Sequence, residues 1–163
     1  MRKFEKISFN RFKKDIKDDE ELYNSYEVPV RKTKLSAGYD FELIEDLTLK
    51  AGEWKKIPLG IKVAMEDDEF LQIIIRSSMG FKYNVRMTNQ VGIVDADYYN
   101  NESNEGHLYL SLQNHGENDF ELKKSEGICQ GIFMKYLKVE NDSVEEIRVG
   151  GYGSTTKGGD KHE

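Results

Sequence analysis

The segment from Asn89 to Asn101, with the sequence NQVGIVDADYYNN, carries the residues best suited to chemistry. An apolar run leads into Asp95 and Asp97, followed by two tyrosines, in a turn rich in Asn and Asp. A carboxylate at a strand end can activate a water as a general base while a neighbouring ring packs on a flat or puckered ligand. The same residues also fit an ordinary hairpin in which Asp-Ala-Asp caps the turn, because Asp is common in turns for local reasons.

Four further polar clusters interrupt the apolar pattern. They are SAGYD at 36–40, RSSMG at 76–80, GICQ at 127–130, and Arg148 with the glycine-rich stretch 150–159. Arg76, Ser77 and Ser78 offer a guanidinium, hydroxyls and the N–H groups of a predicted turn, which suit phosphate oxygens. An arginine capping a strand end before a serine turn is the alternative.

The stretch GGYGSTTKGG resembles a phosphate-cradling loop in composition, because glycines let backbone N–H groups approach a ligand closely. Its spacing is neither that of a P-loop nor that of a Rossmann dinucleotide motif. A disordered linker is the alternative interpretation.

The elements around these clusters are predicted mainly as strands. Residues 1–8 suit a first strand, and the apolar spacing in 9–26 predicts one short amphipathic helix. Residues 57–65 alternate as one half-buried strand, with Pro58 at an edge or a bulge. Residues 70–75 predict a strand buried on both faces. Many short strands with little helix indicate one antiparallel sandwich or barrel domain.

Composition limits the classes of function. Of the 163 residues, 33% are charged and 37% hydrophobic, so self-association would add to a lean core. The net charge of −6 argues against a nucleic-acid binder or an anionic-membrane binder, although a single anionic small molecule is compatible with it. The three histidines lack metal-ligand spacing, which argues against zinc, and Cys129 is predicted to be buried and inert. The absence of a signal peptide and of an 18-residue apolar run predicts a cytoplasmic protein.

In sequence and in order, SAGYD, RSSMG, GIVDADY, GICQ and RVGGYGSTT resemble the five motifs of the homotrimeric dUTPases, over residues 28–157. Five ordered motifs are far more specific than any one of them. A turn before the Leu108 strand that is longer than in most of the family is most similar to dUTPases from phages and prophages of Gram-positive bacteria.

The resemblance implies an all-β, jelly-roll-like barrel or sandwich subunit with one short N-terminal helix. A β domain would span 1–148, with a helical insertion at about 9–26, and a mobile tail at 149–163 would close over the active site. The implied activity is Mg2+-dependent hydrolysis of dUTP to dUMP and pyrophosphate by a homotrimer whose sites each use three chains. This reaction limits uracil incorporation into DNA and supplies dUMP for thymidylate synthesis.

The resemblance also assigns residues. Asp95 matches the aspartate that deprotonates the water attacking the α-phosphorus, and Asp40 matches the acid that holds Mg2+ through its waters. Tyr98 matches the tyrosine that packs on the deoxyribose and leaves no room for a 2′-hydroxyl. The remaining matches bind substrate: Asn89, Gly92, Ile93 and Val94 at the uracil, Arg76, Ser77, Ser78 and Gln130 at phosphate, Tyr152 stacked on uracil, and Arg148, Gly153, Ser154 and Thr155 in the tail.

Several positions depart from the family pattern. Ser78 stands where glycine is usual, Tyr152 where phenylalanine is more common, and Arg148 four rather than five positions before Tyr152. The stretch NNESNEG predicts only a longer polar hairpin loop. Two rival functions remain: a dCTP deaminase-like enzyme of the same fold, and a phage-type dUTPase that also binds a regulatory protein.

Overall fold

Antiparallel strands make up most of the computed structural model, which describes residues 1–146, Arg148 and Gly150. The strands are β1 (Lys3–Lys6), β2 (Tyr39–Glu42), β3 (Leu47–Leu49), β4 (Trp54–Pro58), β5 (Ile61–Ala64), β6 (Glu69–Ile75), β7 (Val85–Met87), β8 (Gly92–Asp95), β9 (Tyr109–Asn114), β10 (Phe120–Leu122) and β11 (Gly127–Lys135). The helices are α1 (Phe9–Asp15), α2 (Glu20–Ser25) and α3 (Ser77–Tyr83), and a 3-10 turn spans Ala96–Tyr98. The predicted all-β class is confirmed.

Two larger sheets and two strand pairs enclose the core. The sheet orders are β2-β11-β6-β8 and β4-β9-β7, and the pairs are β1-β5 and β3-β10. Along β9, Leu110 and Leu112 point into the core while Tyr109, Ser111 and Gln113 are half-buried, as the period-two pattern predicts. None of the helices in the described residues is long and apolar enough to cross a membrane.

The single predicted N-terminal helix is in fact two helices. α1 ends at Ile16, where the backbone leaves helical geometry with φ −124° and ψ −74°. The Asp19 side chain then accepts a hydrogen bond of 2.9 Å from the Leu22 N–H and starts α2. An aspartate at an N-cap satisfies a backbone N–H of the first helical turn, a role that it cannot have in the middle of a continuous helix. The predicted apolar face is correct, since Phe12 is fully buried and Tyr23 packs against it.

The predicted strand at 57–65 is also interrupted, at Gly60. Gly60 has a φ of +67°, its N–H donates to His107 Nε2 at 3.0 Å, and its carbonyl accepts from the Tyr26 hydroxyl at 2.9 Å. The Gly60 N–H thus bonds to a side chain instead of a strand, while its carbonyl also accepts from the Ile7 N–H at 3.1 Å beside β1. β4 and β5 accordingly belong to different sheets. Pro58 ends β4 at the edge of the three-stranded sheet, as predicted.

β6 is central in the larger sheet, but only one of its faces is fully buried. Leu71 and Ile73 lie in the core, whereas Phe70, Ile74 and Ile75 are half-buried, so the prediction of burial on both faces is wrong for one chain. Packing within the described chain covers only the core side of the sheet. On the neighbouring strand β11, Cys129 is fully buried as predicted, and burial raises the pKa of its thiol.

Candidate active site

One groove collects polar residues from three separate predicted clusters. β2 pairs with β11 at Asp40 and Gln130, and β11 pairs with β6 at Gln130 and Ile74. The end of β6 therefore delivers Arg76 beside Gln130. Lining this groove are Lys32, Ser36, Gly38, Asp40, Arg76, Ser77, Ser78 and Gln130.

Arg76 is the N-cap of α3, so Ser77 and Ser78 begin a helix rather than the predicted turn. The Arg76 Nη1 donates to the Gly127 carbonyl at 3.3 Å, and its Nε lies 3.9 Å from Asp40 Oδ1. Within the part of the chain that the structure describes, the Arg76 side chain makes no capping bond to the helix. The first N–H groups of a helix lack intrahelical partners and, with a guanidinium beside them, suit anionic oxygens.

Two glycines of the sequence motifs lie directly against side chains that line this groove. A Cβ on Gly38 would lie 2.1 Å from Gln130 Oε1, and a Cβ on Gly127 would lie 2.5 Å from Arg76 Nη1. Real Cβ atoms do not approach other heavy atoms so closely. A side chain at Gly38 or Gly127 would therefore push the flexible end of Gln130 or Arg76 out of its position in the groove.

A second group forms at the end of β8 around two carboxylates. Arg148 Nη2 lies 2.7 Å from Asp95 Oδ2, and its Nε lies 3.0 Å from Asp97 Oδ1. The same guanidinium lies over the Tyr98 ring, 5.8 Å from the ring centre. Arg148 thus contacts the predicted base rather than the Arg76 groove. The Asp95 side chain remains 53% exposed.

Tyr98 is held in place by the loop that follows it. Its side chain is 6% exposed, its hydroxyl donates to the His107 carbonyl at 3.1 Å, and Asn104 Nδ2 donates to the same hydroxyl at 2.6 Å. Asn101 Nδ2 also donates to the Tyr98 carbonyl at 2.9 Å. The polar loop is therefore folded around the tyrosine.

A buried polar network joins this loop to α1. His107 Nδ1 lies 2.6 Å from Asp15 Oδ2, which also accepts from Tyr109 at 2.6 Å and from Arg11 at 2.7 Å. Because the Gly60 N–H can only donate, His107 Nε2 must be an unprotonated acceptor. Burial lowers the pKa of His107. Burial opposes ionisation of Asp15, but the bonds from Arg11, Tyr109 and His107 outweigh it and lower the Asp15 pKa.

The segment before Asp95 is not a hairpin. β7 pairs with β9 and β8 pairs with β6, so the turn at Asn89 and Gln90 carries the chain from one sheet to the other. Asn89 and Ile93 are exposed, Val94 is buried, and Gly92 packs against Ile73, where a Cβ would lie 3.2 Å from the Ile73 Cβ.

The two polar groups lie at opposite ends of β6. Asp95 pairs with Phe70 at the start of this strand, whereas Arg76 follows Ile75 at its end. Six residues of extended chain span about 20 Å. One chain therefore does not bring its own Asp95 to its own Arg76 groove.

Comparison with known proteins identifies the family of this chain. The dUTPase family model matches residues 24–156. The deoxyuridine 5′-triphosphate nucleotidohydrolase of Lactococcus lactis is 41% identical over 130 residues, covering 78% of this chain and 87% of its own. The chain belongs to the dUTPase family.

Solved dUTPase structures share this chain's fold. The dUTPase of Streptococcus mutans is 35% identical with a TM-score of 0.68, over 84% of this chain and 98% of its own. The dUTPase of Staphylococcus bacteriophage 80alpha is 18% identical with a TM-score of 0.66, over 90% of this chain and 97% of its own, which shows the fold alone. The jelly-roll-like dUTPase fold predicted from the motifs is confirmed.

In this dUTPase, sequence reasoning missed several residues near the predicted site. Lys32 lines the Arg76 groove, and its Nζ lies 2.6 Å from Glu42. Asn101 and Asn104, which fold around Tyr98, were given no role. Asp97 was recognised in the Asp-Ala-Asp turn, but not as a partner of Arg148.

Other predictions for this dUTPase stay untested. Tyr152, Gly153, Ser154 and Thr155, with most of the 149–163 tail, lie outside the described residues. The described chain contains no group of three His, Cys, Asp or Glu side chains that could hold a metal ion by itself.

Proposed function

We propose that this dUTPase family member hydrolyses dUTP to dUMP and pyrophosphate as a homotrimer with Mg2+. The observation that carries the proposal is the separation of Asp95 from the Arg76 groove in a chain that belongs to this family. Such a chain needs a second copy to complete the site. Hydrolysis of dUTP would limit uracil incorporation into DNA and supply dUMP for thymidylate synthesis.

Asp95 takes the role of general base. A base must lie within hydrogen-bond reach of the water that it activates, and Asp95 presents a half-exposed carboxylate at a strand end. Attack of that water on the α-phosphorus expels pyrophosphate. Arg148 pairs with this carboxylate, so substrate entry requires that pair to open and the guanidinium to leave the Tyr98 ring.

The Arg76 groove takes the role of phosphate site. Phosphoryl transfer depends chiefly on positioning and on neutralising charge. The guanidinium of Arg76, the start of α3 and the Gln130 amide supply donors on one side of the groove. A protein with a net charge of −6 needs such a local positive region to bind a triphosphate.

The residues present fit Mg2+ held mainly by substrate and water. Asp40 is the carboxylate of the phosphate groove, and its side chain is 14% exposed. Mg2+ in nucleotide sites usually takes one or two carboxylates, several waters and phosphate oxygens, which one aspartate per groove satisfies. When bound there, the ion would neutralise charge on the phosphates.

Exposed apolar residues support association. Val91 and Ile93 on and beside the edge strand β8 are 40% and 56% exposed, and the outer face of β6 is half-buried. A second and a third copy covering these residues would bury surface that the single chain leaves in water.

Release of pyrophosphate from dUTP, compared with release from dCTP, tests the proposed function. We expect rapid release from dUTP, and the Asp95→Asn variant should lose roughly a thousandfold in turnover while still binding dUTP, because the amide keeps the shape but not the base. Ammonia release from dCTP would instead identify a deaminase. Residual hydrolysis by Asp95→Asn within about tenfold of wild type would remove Asp95 as the base.

The predicted regulatory protein partner stays a prediction. The 80alpha structure comes from work in which phage dUTPases control transfer of virulence genes by a proto-oncogenic G protein-like mechanism. We propose the loop at 100–106 and α1 as the surface to vary in a search for such a partner, because these segments contact each other.

A further inference from the structure

We infer that Asn104 is a positioning residue that sets the preference of the enzyme for deoxyribose by holding the ring of Tyr98. The inference rests on the proposed function and gives a role to the loop at 100–106. Its evidence is the bonding of the loop, the glycine within it and its anchors on the rest of the chain.

The Tyr98 hydroxyl is bonded both as donor and as acceptor. It donates its proton to the His107 carbonyl at 3.1 Å and accepts from Asn104 Nδ2 at 2.6 Å. Asn101 holds the Tyr98 carbonyl at 2.9 Å. The tyrosine is thus fixed at its backbone and at the far end of its ring.

The Asn104 side-chain amide is hydrogen-bonded at both its oxygen and its nitrogen. Asn104 is 8% exposed, and its Oδ1 accepts from Asn101 Nδ2 at 2.7 Å and from the Gly106 N–H at 3.0 Å. A buried amide is costly unless its groups are paired. Asn104 satisfies its own amide and the tyrosine hydroxyl in one arrangement, which favours a single ring position.

The loop backbone is shaped to pass close to Tyr98. Gly106 has a φ of +79°, and a Cβ there would lie 2.7 Å from the Tyr98 carbonyl oxygen. Asn100 and Glu105 also have positive φ values of 54° and 59°. Such backbone is kept only where the surroundings determine it.

The loop is itself anchored. Ser8 donates to Glu105 through its hydroxyl at 2.6 Å and through its N–H at 3.0 Å, and Arg11 Nη1 donates to the Ser103 carbonyl at 2.8 Å. The ring is therefore held against a fixed support rather than against a free loop.

A Tyr98 ring that cannot move discriminates between deoxyribose and ribose better than one that can. Deoxyribose and ribose differ by one hydroxyl. A Tyr98 ring that can move back by roughly 1.5 Å, one bond length, makes room for that hydroxyl. A ring that Asn104 holds in place cannot retreat without breaking buried hydrogen bonds. Release of the ring should consequently raise the use of UTP relative to dUTP.

The test is a double-mutant cycle of Asn104→Leu and Tyr98→Phe, with kcat/KM measured for dUTP and for UTP. Asn104→Leu removes the bond to the Tyr98 hydroxyl and should lower the dUTP:UTP ratio about tenfold, the worth of one hydrogen bond. Tyr98→Phe removes that bond and the bond to the His107 carbonyl, so it should lower the ratio at least as far, and the double variant should lower it no further than Tyr98→Phe does. Asn114→Leu is the matched control. Asn114 is also fully buried, bonds to the Leu49 carbonyl at 3.0 Å, and should leave the ratio within about twofold.

Urea unfolding of the same variants shows whether the bond itself is present, because bonded partners give non-additive unfolding free energies. Coupling in unfolding with an unchanged nucleotide ratio would overturn the inference and leave Asn104 a structural residue. Wild-type protein that hydrolyses neither nucleotide would overturn the proposed function, and the inference with it. If Asn104→Leu does not fold, Tyr98→Phe removes the Asn104 bond together with the His107 bond, and an unchanged ratio there overturns the inference.

Discussion

Two inactive variants should restore activity when their chains share one trimer. Arg76→Ala removes the proposed phosphate donor and Asp95→Asn removes the proposed base. Along β6 the two positions are separated by about 20 Å, from Phe70 to Arg76. The Arg76 guanidinium also turns toward Asp40 on β2, three strand spacings or about 14 Å from β8. In the proposed trimer, Arg76 and Asp95 of one chain would therefore serve different sites.

The expected recovery follows from counting. A working site needs an intact Asp95 from one chain and an intact Arg76 from another. In randomly assembled trimers of an equal mixture, each is intact half of the time, so roughly a quarter of the sites are whole. Each variant alone should retain about a thousandth of wild-type turnover. Recovery of a quarter of wild-type activity in the mixture is easily distinguished from that background.

The assay unfolds and refolds the two variants together and measures pyrophosphate release. Native mass spectrometry of variants with different mass tags shows whether mixed trimers form. The control is the same two proteins refolded separately and then mixed, which should stay inactive. Mixed trimers without recovered activity would refute the placement of Asp95 and Arg76 in different sites, and a monomer by mass would refute the trimer.

Three further outcomes are expected. Gly38→Ala should raise the KM for dUTP several-fold with little change in stability, because its Cβ displaces the flexible end of Gln130 from 2.1 Å; steady-state kinetics and urea unfolding check both. Gly80→Ala, whose Cβ meets no atom of the described residues within 4 Å, should stabilise α3 by about 0.5–1 kcal/mol in urea unfolding. Burial lowers the pKa of His107 in the folded protein below its ordinary 6.5. The free energy of unfolding should therefore be highest above pH 6.5 and decrease below it, by at most about 1.4 kcal/mol per pH unit. Urea unfolding at pH 7.5 and 5.5 should show this decrease, and the decrease should be smaller in His107→Gln.

Alternation located the strands because side chains on a strand point to opposite faces in turn. Leu108, Leu110 and Leu112 are all buried, as that pattern requires. The break at Gly60 was hidden, because buried residues continue to alternate on either side of it. Its cause is a hydrogen bond to His107, 47 positions away, which no local pattern contains.

The motifs named the residues of the candidate site but did not indicate which of them one chain brings together. Asp40, Arg76 and Gln130 meet because β2, β11 and β6 are neighbours, an order that spacing along the sequence does not specify. Arg76 followed by two serines fits a turn and a helix start equally well in sequence. The helix follows from tertiary packing, in which Met79 is buried in the core.

The polar network behind Tyr98 could not be predicted for a different reason. Asp15 and His107 are 92 positions apart, and each looks like a surface residue in its own segment. Burial of both depends on α1 lying against the loop, which is a property of the whole fold. Composition reports how polar such residues are, but not whether they are paired.

The anchoring of the loop on α1 has a consequence for descent within the family. The family model begins at residue 24, whereas Ser8 and Arg11, which hold the loop at Glu105 and Ser103, precede it. In this chain the loop at 100–106 therefore depends on two side chains that lie outside the matched segment. We expect the loop and residues 1–23 to be exchanged between related genes together, and a chimera that carries the loop without residues 1–23 to hold Tyr98 less firmly.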